Sequence, residues 1–312
     1  MAYETTGHNP ADDPAATTQR ITEFMRGFSI EATRLDPGEL QALKTVLPAG
    51  AAVYLTAIPG RRPADQIEPA TNLRALGFEP IPHIAVRNFE SAGALESALA
   101  DFTSQAGVRR VLVIAGDRDP PTGPFSSAVD VIESGLLQRH GITEVALAGY
   151  PQGHPRLSEE VLDLALTAKL EAAQQTGLAV HIVTQFAFDA EAITNWLVRL
   201  RDLGIENPVK IGMAGPTNFA RLMRYAHHCG VSASVQGLTR QAGLIKHLLG
   251  TSTPDSIIRP LAEAHGEGRL GQVASHFYSF GGAAATARWA AAVAAGQISL
   301  SRTGGFAVEP AS

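Results

Sequence analysis

Two carboxylates stand where apolar runs of this 312-residue chain end: Glu31, in Phe28-Ser29-Ile30-Glu31, and Asp117, in Val111-Leu112-Val113-Ile114-Ala115-Gly116-Asp117. A carboxyl group at an apolar strand end has its charged form disfavoured by desolvation, which suits it to give up a proton near neutrality. A structural ion pair, with Arg34 as partner, is the competing account of Glu31. Asp117 follows a glycine that lets backbone approach a ligand, and Pro120-Pro121 stiffen the loop beyond it. An acid fixed in this way suits stabilisation of a cationic intermediate, while helix capping by Asp119 or Thr122 is the structural alternative for this loop.

His83 and His154 also lie at run ends, in Ile81-Pro82-His83 and Tyr150-Pro151-Gln152-Gly153-His154-Pro155. No pair among these histidines and acids has i, i+2 or i, i+4 spacing, so no metal site is expected and hydrogen bonding to a bound ligand is the better use. Gln185, in Thr184-Gln185-Phe186-Ala187-Phe188-Asp189, offers a donor and an acceptor, as a heterocycle with an amide face requires. Bonding to loop backbone is its alternative. The single cysteine, Cys229, excludes an internal disulfide framework and reads as a small buried side chain on a helix.

These residues need a scaffold that brings strand ends together. Eight apolar runs recur at even spacing: 28–31, 53–56, 81–83, 111–114, 145–149, 182–185, 211–213 and 277–278. Helical patterns separate them, over residues 39–46, 65–76, 90–105, 126–139, 158–175, 190–203, a helix capped by Thr217-Asn218, and 283–295. Pro80 and Pro82 make the third strand the weakest of the eight. Residues 231–271 exceed one crossover and predict two or three added helices, with Pro254 starting one. The alternation predicts an α/β fold, a closed (β/α)8 TIM barrel with extra helices between strands 7 and 8 and its site at the carboxyl ends of the strands. Residues 1–25 read as a polar N-terminal arm or a loosely docked helix, and 26–312 as a single barrel catalytic domain.

Composition narrows the partners. With 45% apolar residues, 18% charged residues and a formal net charge of −5, the chain can bury a large core but has no basic surface for nucleic acid or anionic membrane. The start lacks a positive segment followed by an apolar one, and no long uncharged apolar run spans a membrane, so a cytoplasmic enzyme is expected. Neither G-x-G-x-x-G after the first strand nor G-x-x-x-x-G-K-[ST] occurs, which disfavours a Rossmann or P-loop site. Nothing in the pattern fixes an oligomeric state.

Taken in order, Ser29-Ile30-Glu31, Pro82-His83, Gly116-Asp117 with Pro120-Pro121-Thr122-Gly123, Tyr150-Pro151-Gln152-Gly153-His154-Pro155 and Thr184-Gln185-Phe186-Ala187-Phe188-Asp189 resemble the methylenetetrahydrofolate reductase family over residues 28–295. The resemblance implies reduction of 5,10-methylenetetrahydrofolate to 5-methyltetrahydrofolate with NADH or NADPH, usually relayed by FAD, in the one-carbon metabolism that leads to methionine biosynthesis. By the family pattern Glu31 and Asp117 are catalytic, the first as acid and the second as partner of the cation. Asp117, Gln185 and Phe219 bind the folate. Thr56, His83, Gly116, Asp117, Tyr150, His154 and Asp163 fall on flavin-contacting positions. The chain departs from the pattern at Ala115, Leu166, Lys169 and Leu170, where the family carries arginine, asparagine, arginine and lysine, and at Gly281-Gly282, where it carries Asn-Arg. The resemblance therefore leaves two forms open: a flavin relay, or direct transfer from NAD(P)H. A barrel enzyme for another one-carbon or pterin substrate, and a non-catalytic folate-binding protein, are the alternatives.

Overall fold

The computed structural model describes residues 13–229, 231, 251–302 and 304–309. Seven parallel strands, β1 (Ser29–Ala32), β2 (Ala52–Leu55), β3 (Glu79–Ala85), β4 (Arg110–Ile114), β5 (Glu144–Gly149), β6 (Ala179–Thr184) and β7 (Val209–Ala214), precede a small antiparallel ladder of β8 (Thr217–Asn218) with β9 (Thr251–Ser252). The eighth barrel strand, β10 (Val273–Tyr278), pairs with both β7 and β1 and closes the sheet. This is the (β/α)8 TIM barrel that the strand–helix alternation predicts.

The strands read as nearly continuous apolar runs because both of their faces are buried. Ile30, Val53, Val111, Val145, Ile211 and Phe277 face outward into the large core shared with the helices. Tyr54, Ile81, Leu112, Ala146 and Val183, on the opposite parity, form a separate cluster inside the barrel. The period-two alternation of a strand thus divides a structural face from a face that can carry a site.

The surrounding helices are α1 (Pro14–Met25), α2 (Pro37–Val46), α3 (Ile67–Ala75), α4 (Ala92–Ala106), α5 (Ala128–Glu133), α6 (Leu136–Arg139), α7 (Glu159–Gln175), α8 (Ala190–Asp202), α9 (Phe219–His228), α10 (Asp255–Gly266) and α11 (Ala283–Ala294). Side chains of Asp36, Ser91, Ser158, Asp189 and Asn218 accept first-turn amide hydrogens and fix where five of them begin, each cap contributing about 1 kcal/mol. No helix among the described residues is long and apolar enough to cross a membrane.

Several elements differ from the sequence reading. Of the two readings of the N-terminal residues, the docked helix is the one found: residues 14–25 form α1, which is packed rather than loose, burying Ile21, Phe24 and Met25 against α10, α11 and β10. The strand with two prolines is the longest in the barrel. Its register with β4 begins only at His83, so the amides missing at Pro80 and Pro82 fall before that ladder. The helix expected over residues 126–139 breaks into α5 and α6 around Gly135, whose φ of 70° no side-chain-bearing residue adopts readily. Of the added helices between the seventh and eighth barrel strands, α10 is described and residues 232–250 lie outside the described residues. Cys229, expected to be buried, is exposed at the end of α9. A closing hairpin, β11 (Ile298–Leu300) with β12 (Phe306–Val308), was not foreseen, its runs being only three residues each.

Candidate active site

The register of β1 sets Glu31 beside Tyr54 of β2 and Tyr278 of β10, which turns its carboxylate into the barrel near the mouth. The residue is only 7% exposed. Thr56 Oγ1 donates to Glu31 Oε1 at 2.8 Å. The other oxygen, Oε2, lies 3.6 Å from His83 Nε2 and 3.7 Å from His276 Nε2. All three of these buried atoms lack a hydrogen-bond partner among the described residues. Buried polar atoms are nearly always paired, so this convergence marks a place built for a ligand's polar group. The structural alternative for Glu31 is not realised: Arg34 makes no ion pair with it and instead lines a cleft on the rim.

Burial holds His83 below its ordinary value, with Glu31 opposing that shift and His276 adding to it. Burial likewise places His276 well below, helped by Lys210 and His181. Burial thus favours the neutral form of both imidazoles, and among the described residues no lysine or arginine forms an ion pair with Glu31. Beneath them runs a second polar chain. Tyr54 Oη sits 2.6 Å from His181 Nε2, and His181 Nδ1 2.5 Å from Glu144 Oε1. Because the carboxylate only accepts, His181 donates from Nδ1 and accepts the tyrosine hydroxyl at Nε2. The Tyr54 ring packs edge-on against His276 at 4.7 Å, and Ser29 Oγ meets His276 Nδ1 at 2.9 Å. Sequence reasoning passed over Tyr54, His181 and His276. Their signal was polar groups at inward parity within apolar strands.

Across the mouth, Gly116 has φ 86°, and a Cβ there would stand 3.1 Å from Ala85 Cβ, so only glycine lets the β4 loop lie against β3. Asp117 follows it, exposed. The capping alternative for the loop is not realised either, since Ser127 caps α5 and the Thr122 hydroxyl donates to Arg87 O. Burial raises the Tyr150 phenol, and Asp117 adds to the rise. The Tyr150 and His154 rings meet edge-on at 5.3 Å. Gln185 Oε1 accepts from Phe186 N at 3.0 Å, which is the loop-backbone bond, and among the described residues its amide nitrogen makes none. Phe219 opens α9 and is half-buried.

Two clefts flank this centre, and they are unlike. Tyr150, Asp163, Leu166, Trp196 and Arg199 line a crevice of only about 30 Å³ between α7, α8 and the end of β5. Asp163 Oδ2 there accepts from Arg199 Nη1 at 2.7 Å, and Leu166 is buried in the core. The crevice's cation, Arg199, is thus engaged, and so narrow a lining with buried Leu166 fits poorly the ribose and phosphates of a flavin dinucleotide, which need room and free cationic or amide donors. The structure thus brings Glu31, Thr56 and His83 together and sets Asp163 apart in an ion pair. On the other side, a cleft of about 430 Å³ opens above Thr56 and His83.

A barrel that gathers titratable side chains at the carboxyl ends of its strands belongs to the (β/α)8 class that builds ligand sites on its strand-to-helix loops. Residues 40–247 match the family model described as methylenetetrahydrofolate reductase, and the chain belongs to that family. It is similar to the 5,10-methylenetetrahydrofolate reductase of Salmonella typhimurium, with 26% identity over 211 residues covering 65% of this chain and 66% of that one. With the Pectobacterium carotovorum enzyme of the same name it shares 25% over 247 residues, covering 77% and 78%. A solved structure described as an uncharacterized protein from Clostridium thermocellum that binds two copies of 5-methyl-5,6,7,8-tetrahydrofolic acid has the same fold, at a TM-score of 0.51 and 13% identity over 87% of this chain and 98% of that one.

Proposed function

We propose that this protein reduces 5,10-methylenetetrahydrofolate to 5-methyltetrahydrofolate with hydride delivered directly from NAD(P)H, without a flavin relay. Family membership supports the substrate. The observation that carries the chemistry is the buried Glu31 carboxyl, held by Thr56 and faced by the imidazoles of His83 and His276. The observation that favours direct transfer is the narrowness of the crevice at Asp163 and Leu166, positions that the family pattern gives to the flavin.

In this reading Glu31 gives its proton to the departing nitrogen as the five-membered ring opens. The resulting iminium cation is stabilised by the Asp117 carboxylate, and hydride from the dihydronicotinamide adds to the iminium carbon to give the methyl group. NAD(P)⁺ leaves and Glu31 regains a proton from solvent, so the reaction consumes one hydride and one proton. Thr56 and His83 fix the carboxyl that acts. Gln185 bonds the pterin and Phe219 packs over it, while Gly116, Tyr150 and His154 wall the mouth beside Asp117.

Purified protein stripped of flavin should oxidise NADH or NADPH only when methylenetetrahydrofolate is present, and its absorbance spectrum should lack flavin bands. Turnover that requires added FAD would remove the direct-transfer reading. Tight folate binding without turnover would favour a binding protein.

A further inference from the structure

The larger cleft has a feature that the reduction chemistry does not use. Its floor is Thr56 and His83, two of the three side chains against the Glu31 carboxyl, and its rim carries Arg34, Arg61 and Arg62. The loops after β1 and β2 supply them, so the guanidinium groups come from two separate segments. Its two carboxylates are already engaged. Asp36 caps α2 by accepting from Glu39 N at 2.9 Å, and Asp65 pairs with Arg62 at 3.1 Å. Arg34 and Arg61 are exposed and form no ion pair or side-chain hydrogen bond among the described residues. Free cationic forks from two loops lining one cleft of about 430 Å³ are suited to a bidentate anion.

From this we infer that the cleft after β1 and β2 binds the pyrophosphate of the hydride-donating dinucleotide through Arg34 and Arg61, with Arg62 at its edge. The inference rests on the reading of the protein as a reductase. Two placements select the dinucleotide over the carboxylates of a folate tail. The cleft descends to Thr56 and His83, on one side of Glu31, whereas Gln185 and Phe219, assigned to the folate, belong to the far strands β6 and β7 and their loops. The opposite crevice, beside α7, is narrow and is lined by buried Leu166 and by an arginine, Arg199, already paired with Asp163. The anion site of the mouth then lies on the β1–β2 side, where a ligand can lay its reacting ring over Glu31 and its phosphates on the arginines.

ADP-ribose, which carries the pyrophosphate without a nicotinamide, is the direct probe. It should bind wild-type protein and compete with NADH. The Arg34→Ala/Arg61→Ala double variant should weaken ADP-ribose binding and raise the KM for NADH by about tenfold or more, from loss of charge-assisted bonds. The KM for methylenetetrahydrofolate should stay near its wild-type value. Both arginines are exposed and unpaired, so the fold should survive, and circular dichroism together with the single variants checks this. Arg269→Ala, which removes a surface arginine paired with Glu267, serves as the charge control. No ADP-ribose binding to the wild type would overturn the inference, as would a rise confined to the KM for polyglutamylated folate, which would give the cleft to the folate tail. Arginine-dependent ADP-ribose binding in a protein that fails to reduce methylenetetrahydrofolate would uphold the site while refuting the reductase reading.

Discussion

Nε2 of His83 lies 3.6 Å from Oε2 of Glu31, both groups being buried, and neither atom has a hydrogen-bond partner among the described residues. The two atoms point to the same place, where a ligand's polar group would meet both. If Glu31 is the acid, Glu31→Gln should lower kcat by about two to four orders of magnitude while folate binding persists. Equilibrium binding and single-turnover rates check this, and unchanged turnover would refute the role.

Thr56 holds the same carboxyl through a 2.8 Å hydrogen bond. Thr56→Val should therefore lower kcat by about tenfold, for a bond worth about 1.5 kcal/mol or somewhat more, and Thr56→Ser should restore the rate. Equal rates for Thr56→Val and wild type would remove Thr56 from the positioning of the acid.

Stability should depend on the buried histidines. His83 and His276 are held below the ordinary histidine value of 6.5, so as pH falls the unfolded chain takes up protons that the folded chain refuses. Their contribution is therefore fully present above 6.5 and is lost as pH drops through the folded values. Tm measured from about pH 8 to about pH 5 should decline below the upper value, and His276→Asn should make that decline shallower. Equal slopes for variant and wild type would count against burial as the cause.

Gly212 packs where no side chain fits: a Cβ there would stand 2.3 Å from the carbonyl oxygen of Thr184, which is backbone and cannot swing aside. Its N–H also donates to Thr184 Oγ1 at 2.8 Å. Gly212→Ala should cost about 1–3 kcal/mol in urea unfolding and perturb the β6 end that carries Gln185. A neutral substitution would mean that β6 and β7 separate easily at the mouth.

The barrel was legible because each of its strands is buried on both faces and ends at a turn, so the repeat shows in hydropathy alone. Glu31, Thr56 and His83 were legible as strand-end residues, and the register explains why: β1, β2 and β3 are neighbours in both sequence and space. His276 and His181 were not, because partners that the closed barrel brings beside them lie far away in sequence. A single histidine within Ala274-Ser275-His276-Phe277 carries no trace of the strand that it will face 247 residues away, where Ser29 meets it. The rim arginines escaped notice as ligand-binding groups, Arg34 being read only as a partner for Glu31, for a different reason. A guanidinium in a polar loop looks like any solvated charge until the fold shows it lining a cleft. Asp163 shows the converse, since the family pattern places it on the flavin while the structure spends it on Arg199.

Direct transfer makes a prediction about the origin of one hydrogen atom. NADH carrying deuterium at the transferred position of its nicotinamide C4 should give 5-methyltetrahydrofolate with that deuterium in its methyl group. The same reaction run with unlabelled NADH in D₂O should place no solvent deuterium there, because hydride on carbon does not exchange in transit. Solvent label entering the methyl group, or loss of the NADH label, would reveal an exchangeable carrier between the two substrates and contradict the account.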